Sequence, residues 1–158
     1  MKIFSFVGNS NSGKTTLITR IISELRNRNY SVGVIKHCPK GFDVDRIGKD
    51  SERFREKGAD SVLLLGEKEM VLFEKRNGKH PKQLIEKYFH KNDFAIVEGG
   101  KSWKGIEKIE VVGNDKQRLQ LDEKPIAVIS DKNISTGEPV FKKDDIKNIV
   151  NFLEKQNG

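Results

Sequence analysis

The chain has 158 residues but a single cysteine, Cys38, so no internal disulfide framework can form, and that usage fits a reducing, cytoplasmic setting. It has only four prolines and no low-complexity tract, which excludes collagen-like and disordered classes. No apolar run approaches the roughly 18 residues needed to span a bilayer, so no membrane segment is expected. The opening residues MKIFSFVG run straight into a glycine-rich loop and read as a strand, not as a signal peptide. Aromatic residues are sparse, at 8%, and none interleave with a basic stripe, so a base-stacking nucleic-acid surface is not expected. Cys38 has only His37 beside it, which argues against a structural zinc site within one chain.

What is present is a charged, ordered composition, 35% hydrophobic and 34% charged, with a net charge of +7. The positive residues are spread along the chain. They suit a solvated surface, or attraction of nucleotides, phosphorylated substrates or an acidic partner. The length suits one domain, residues 1–158, with no visible linker or repeat.

The patterning predicts alternating strands and helices. Ile3 to Val7 is a short buried strand, and Thr15 to Arg28 a helix with Leu17, Ile18, Ile21, Ile22 and Leu25 on one stripe. Ser31 to His37 resumes as a strand, which completes a βαβ unit with a right-handed crossover. Cys38 to Asp50 reads as a loop, Ser51 to Lys57 as a short helix, and Ser61 to Leu65 with Glu69 to Glu74 as two strands. A helix over Pro81 to Phe89 follows, then strands at Phe94 to Val97, Ile109 to Val112 and Pro125 to Ile129, and a closing helix over Lys142 to Lys155. The fold class is therefore α/β, a three-layer sandwich with a mostly parallel central sheet flanked by helices. Strand order is not readable.

The most specific signal is Gly8-Asn9-Ser10-Asn11-Ser12-Gly13-Lys14-Thr15, followed by Thr16, between a predicted strand and a predicted helix. This is a complete phosphate loop of the P-loop NTPase type in the context it requires. Its glycines let successive N–H groups point at phosphates, and the helix adds the positive end of its dipole. Lys14 is expected at the β- and γ-phosphates, and the Thr15 hydroxyl as a Mg²⁺ ligand. Such a site needs an acid at the end of a second buried strand. Glu98, after Phe94 to Val97, is the candidate for metal-bound water or nucleophile orientation. Asp93, at the opposite end of that strand, reads as a turn or solvent residue.

Lys36 and His37 leave the second strand at the same edge, and His37 could meet a phosphate, a metal or an acidic group. In Phe42-Asp43-Val44-Asp45 an extended backbone would put both carboxylates on one side. There they could approach Mg²⁺ or water near a γ-phosphate, so Asp45 joins Glu98 as a candidate catalytic acid. Lys49 and Asp50 follow, and His80 and His90 read as exposed. No guanine-reading Asn-Lys-x-Asp sequence is present. Asp131, after the late strand, could reach a base without specifying guanine or adenine.

Four pieces in order, GNSNSGKTT (8–16), VIKH (34–37), FDVDRIGKDSERFREKGAD (42–60) and FAIVEGGKSWKGIEKIEV (94–111), make the chain resemble the molybdopterin-guanine dinucleotide biosynthesis protein B (MobB) family. The resemblance covers essentially the whole chain. It implies a GTP-binding homodimer with weak, Mg²⁺-dependent GTPase activity. Such a protein assists a MobA-like guanylyltransferase in attaching GMP to molybdopterin during molybdenum cofactor biosynthesis. On matching positions it implies that Asp43, Asp45, Lys49 and Asp50 line the active face, that Glu98 takes the acidic role, and that Lys101 is the family's lysine after the glycine turn. The chain departs from the family at His37-Cys38-Pro39-Lys40-Gly41, where further histidines are usual, at Ile47 and at Gly100. Two other readings stand beside it. One is a small-molecule kinase using ATP or GTP, with Arg46, Arg53 and Arg55 near its substrate. The other is a nucleic-acid-binding regulator.

Overall fold

The computed structural model describes residues 1–41, 49–75, 78, 80–114 and 117–156, with the Lys49 side chain outside that description. The chain divides into two compact units, Met1–Cys38 with Pro81–Gly158, and Pro39–His80.

The first unit carries a six-stranded sheet of β1 (Lys2–Val7), β2 (Val32–Lys36), β5 (Phe94–Glu98), β6 (Glu107–Val111), β7 (Ala127–Ile129) and β8 (Val140–Phe141). Their order is β2-β5-β1-β6-β7-β8, and every pairing is parallel. The expected α/β architecture is what forms. Strands buried on both faces cannot alternate cleanly between apolar and polar, which is why FAIV in β5 is apolar throughout.

Adjacent residues of β5 serve opposite layers. Phe94 and Ile96 join a core built with Phe4 and Phe6, α1 (Lys14–Asn27) and α4 (Ile146–Lys155). Ala95 and Val97 join a second core with Ile85 of α3 (Pro81–Phe89) and Ile106. Helix α1 contributes Leu17, Ile18, Ile21 and Leu25 of the stripe its sequence spacing predicts, with Ile22 partly buried against them. Burying a side chain such as Ile21, which is 0% exposed, contributes about 1.5–3 kcal/mol. On the other face Gly33 makes room for α3, since a Cβ there would lie 2.3 Å from the Phe89 ring. Just past the cap of α1 at Arg28, Asn29 has a left-handed φ of 66°, a conformation asparagine tolerates better than most residues.

Two elements differ from expectation. The closing helix starts at Ile146, not Lys142, because Lys142-Lys143-Asp144-Asp145 offers no apolar face and the 3.6-residue period begins only with Ile146. The residues just before it supply β8, two residues long and too short to be read from a pattern.

The second unit contains α2 (Lys49–Glu56) and an antiparallel hairpin of β3 (Ser61–Leu65) and β4 (Met70–Glu74), turned by a Gly66 N–H bond to the Glu69 carbonyl at 2.9 Å. Val62 is buried and faces Phe73, over whose ring the Arg55 guanidinium sits at 4.5 Å. Among the described residues no helix is long and apolar enough to cross a membrane.

Candidate functional site

The phosphate loop hangs between the end of β1 and the start of α1, and close backbone packing sets its shape. A Cβ on Gly8 would lie 2.3 Å from the Val111 carbonyl oxygen, so the first glycine is demanded by the neighbouring strand β6. Asn11 and Gly13 have φ of 60° and 88°, which turns the chain into α1. The Lys14 ammonium folds back over the loop, donating to the carbonyls of Asn9 at 2.6 Å and Gly8 at 3.1 Å, and to Ser12 Oγ at 3.2 Å. Partial burial holds its pKa below the ordinary lysine value, with attraction to Glu98 working against that shift.

Glu98 closes β5, and Thr15 Oγ1 donates to its Oε1 at 2.7 Å. Both line one cavity of about 540 Å³, together with Ser10, Asn11, Gly13, Lys14 and Thr16. The turn that follows is fastened from below: the buried Ser5 donates to the Gly99 carbonyl at 2.5 Å, and the Gly99 N–H bonds to the Phe6 carbonyl at 2.9 Å. Gly99 and Gly100 have φ of 93° and 74°. Two rings cover this turn. A Cβ on Gly99 would touch His37, one on Gly100 would lie 2.9 Å from Trp103, and the His37 and Trp103 rings stand 4.8 Å apart. The glycine at position 100 therefore matches a tryptophan three residues later.

These residues define a surface suited to an oxyanion with a hard cation beside it. N–H groups at a helix start and a lysine face phosphate-like charge. A hydroxyl and a carboxylate 2.7 Å apart are the oxygen donors Mg²⁺ uses, alongside phosphates and water. Among the described residues there is no group of three or more His, Cys, Asp or Glu side chains that could hold a metal ion.

The family model for molybdopterin guanine dinucleotide synthesis protein B matches residues 3–131. The chain belongs to that family. It is 29% identical over 168 residues to the molybdopterin-guanine dinucleotide biosynthesis adapter protein of Escherichia coli K12, covering 99% of this chain and 95% of that one. The adapter protein of Haemophilus influenzae is 30% identical over 156 residues, covering 96% and 87%. The crystal structure of Bacillus subtilis MobB superposes with a TM-score of 0.79 at 28% identity, over 100% of this chain and 99% of the other.

For this MobB-family chain, the sequence-derived site residues divide between the two units. The loop from Gly8 to Thr16, Glu98, His37 and Lys101 are all in the first, where the His37 N–H bonds to the Glu98 carbonyl at 3.0 Å. Lys101 is exposed in the turn after Gly100. Lys49 and Asp50 begin α2 in the second unit, where Asp50 is exposed and pairs with Arg53 at 3.5 Å. Asp43, Asp45, Arg46 and Ile47 lie outside the described residues. Asp93 accepts bonds from the Ser31 N–H at 2.8 Å and the Ser31 hydroxyl at 2.7 Å. Those bonds hold its pKa below the usual carboxylate value, and its place at the turn into β2 is structural.

Several residues around the loop escaped sequence reasoning. Lys108 and Glu110 of β6 are 3% and 1% exposed although EKIEV reads as half polar. Lys108 pairs with Glu123 at 2.5 Å, while Glu110 accepts from Arg118 at 2.7 Å and from the Leu119 N–H at 2.5 Å. Arg118 goes on to Thr136, which bonds Glu138, so the face of β6 beside the loop is covered by a paired polar network. The available signal was the i, i+2 spacing of opposite charges in an otherwise central strand.

Proposed function

We propose that this chain is a GTP-binding accessory protein of molybdopterin guanine dinucleotide synthesis, with weak GTP hydrolysis of its own. The observation that carries the proposal is the meeting of Thr15 and Glu98 beneath a complete phosphate loop. In this reading Gly8 to Gly13 cradle the phosphates through backbone N–H groups. Lys14 moves from the loop carbonyls to the β- and γ-phosphates, and Thr16 lies beside the outgoing nucleoside. Thr15 and Glu98 would hold Mg²⁺, which supplies charge neutralisation on the transferring phosphate. Glu98 orients the attacking water, with Asp45 as the second acid. His37, Asp43, Lys49, Asp50 and Lys101 complete the nucleotide-facing surface.

The names of the relatives support the pathway, since those proteins are called adapters in molybdopterin-guanine dinucleotide biosynthesis. The reading takes residues 1–158 as one functional domain, working in the cytoplasm as a homodimer beside a guanylyltransferase that handles molybdopterin. Of the arginines named for a kinase role, Arg53 pairs with Asp50 and Arg55 lies over Phe73, so neither favours that reading, and Arg46 lies outside the described residues.

The test is competitive binding of GTP and ATP with Mg²⁺, with and without the guanylyltransferase. GTP preference that sharpens with the partner supports the proposal. ATP preference, or indifference to the partner, overturns it in favour of a kinase or another P-loop switch.

A further inference from the structure

One face of β6 carries charge where core would be expected. Ile109 and Val111 join the core under α1 and α4, so alternation puts Lys108 and Glu110 on the opposite face of the sheet. Both are buried, and one short segment supplies the partners of both. Glu123 meets the Lys108 ammonium at 2.5 Å, and Arg118 Nε donates to Glu110 Oε2 at 2.7 Å. The two ion pairs run in opposite senses, strand cation to segment anion and strand anion to segment cation. Sliding the segment along β6 would bring like charges together, so charge fixes the register of 118–123 over the strand.

Arg118 does more than neutralise a buried carboxylate. The Leu119 N–H donates to Glu110 Oε1 at 2.5 Å, and Arg118 Nη1 donates to Thr136 Oγ1 at 2.9 Å. One planar guanidinium therefore spans two acceptors in a fixed geometry that an ammonium cannot reproduce. The clamp stands at the base of the phosphate loop. Glu110 pairs in register with Val7, the last residue of β1, and the carbonyl of the next residue, Val111, is the atom packed against Gly8. The residue before Arg118 meets the loop itself, since the Gln117 carbonyl accepts from Asn9 Nδ2 at 3.5 Å, the long end of a hydrogen bond.

We propose that residues 117–123 are a strap on the phosphate loop and that Arg118 is its positioning residue, holding the Gln117 carbonyl against Asn9. The proposal rests on the reading that the loop holds phosphates. In the free protein the Lys14 ammonium braces the loop from inside, through the Gly8 and Asn9 carbonyls. That brace is lost when the ammonium turns to phosphate. Among the described contacts the Asn9 carbonyl then keeps only the Ser12 N–H, at 3.3 Å. The Asn9 side chain on Gln117 becomes an outside restraint that holds the loop in its binding shape. Two buried ion pairs are a costly way to cover a strand that apolar residues could cover, and the fixed register of the strap is what they secure.

The test is equilibrium binding of inorganic tripolyphosphate and of GTP, with Mg²⁺, to the full chain and to Asn9→Ala, Arg118→Lys and the double variant, with thermal melting alongside. Arg118→Lys keeps a cation beside Glu110. If Arg118 only neutralised that carboxylate, the variant would bind as the wild type does. Positioning requires instead that each single variant bind both ligands about three- to tenfold more weakly. The double variant should be no weaker than the weaker single one, because both changes cut the same linkage. Wild-type affinity in Arg118→Lys overturns the proposal, even with a lower melting temperature, and so do losses that multiply in the double variant. Should Arg118→Lys fail to fold, Glu110→Gln with Arg118→Met removes both charges and keeps an oxygen for the Leu119 N–H. That pair should show the same loss, and wild-type affinity there overturns the proposal equally. If the wild type binds tripolyphosphate and the variants match it, the strap alone falls. If the wild type binds neither ligand, the phosphate reading falls as well.

Discussion

Thr15 and Glu98 are 83 positions apart in sequence, yet their side chains meet at 2.7 Å across the mouth of the phosphate loop. The parallel pairing of β1 with β5, with Phe6 opposite Glu98, sets that meeting, and neither side chain alone would secure it. Glu98→Gln keeps the shape and the acceptor oxygen but removes the charge. GTP binding should stay within a few-fold, while single-turnover hydrolysis slows by at least about tenfold. Unchanged turnover would move the acidic role to Asp45.

Lys14→Ala removes the only loop ammonium within reach of Asn9, Gly8 and Ser12 among the described contacts. Charge-assisted bonds to phosphate are among the stronger polar contacts. Calorimetric titration should show triphosphate affinity reduced by about a hundredfold or more. Near-wild-type affinity would mean that the loop N–H groups suffice and that Lys14 serves only to brace the turn.

Burial depresses the Lys14 pKa in the free protein, and bound phosphates should raise it again. Two pH dependences of opposite sign follow. Between the depressed value and the ordinary lysine value the unfolded chain holds a proton that the folded one has released, so free-protein stability rises with pH. Over the same window binding must take up that proton, so affinity falls as pH rises through the depressed value. Titrations in two buffers of different ionisation enthalpy would reveal the uptake, and Lys14→Met should abolish both trends. Equal proton uptake by wild type and variant would refute the coupling.

Gly8→Ala forces a Cβ to 2.3 Å from the Val111 carbonyl, a backbone atom that cannot step aside. A cost of about 1–3 kcal/mol is expected, with a Tm lower by several degrees and weaker triphosphate binding. Gly137→Ala is the control, since nothing lies within 4 Å of its added Cβ. Calorimetry on the two variants separates close packing from the general effect of replacing glycine.

The loop, the helix after it and the acid of β5 could be read from the sequence because each is signalled locally, by spacing or by an apolar run ending in a carboxylate. The strand order could not, because backbone pairing over more than ninety residues leaves no periodic trace. The burial of Lys108 and Glu110 was hidden for a related reason. A polar residue in a strand reads as solvent-facing unless its partner, here Glu123 or Arg118, is known to fold over it. Asp131 was visible as a residue that could meet a base. The Lys143 N–H bond that Asp131 accepts and the nearness of Lys143 to Gly13 could not be read, because both depend on tertiary placement.

The position of β1 between β5 and β6 also orders the birth of the site during synthesis. The phosphate-loop sequence emerges from the ribosome first, but the two strands that hold its base, 94–98 and 107–111, come much later. At elongation rates of about 5–20 residues per second, β1 waits several seconds with both edges unpaired. An unpaired apolar strand is a sticky one. A ligand at the loop could not shorten that wait, because the site that would bind it does not yet exist. The nascent chain must rely on keeping Phe4 and Phe6 covered by α1 until the neighbours of β1 arrive.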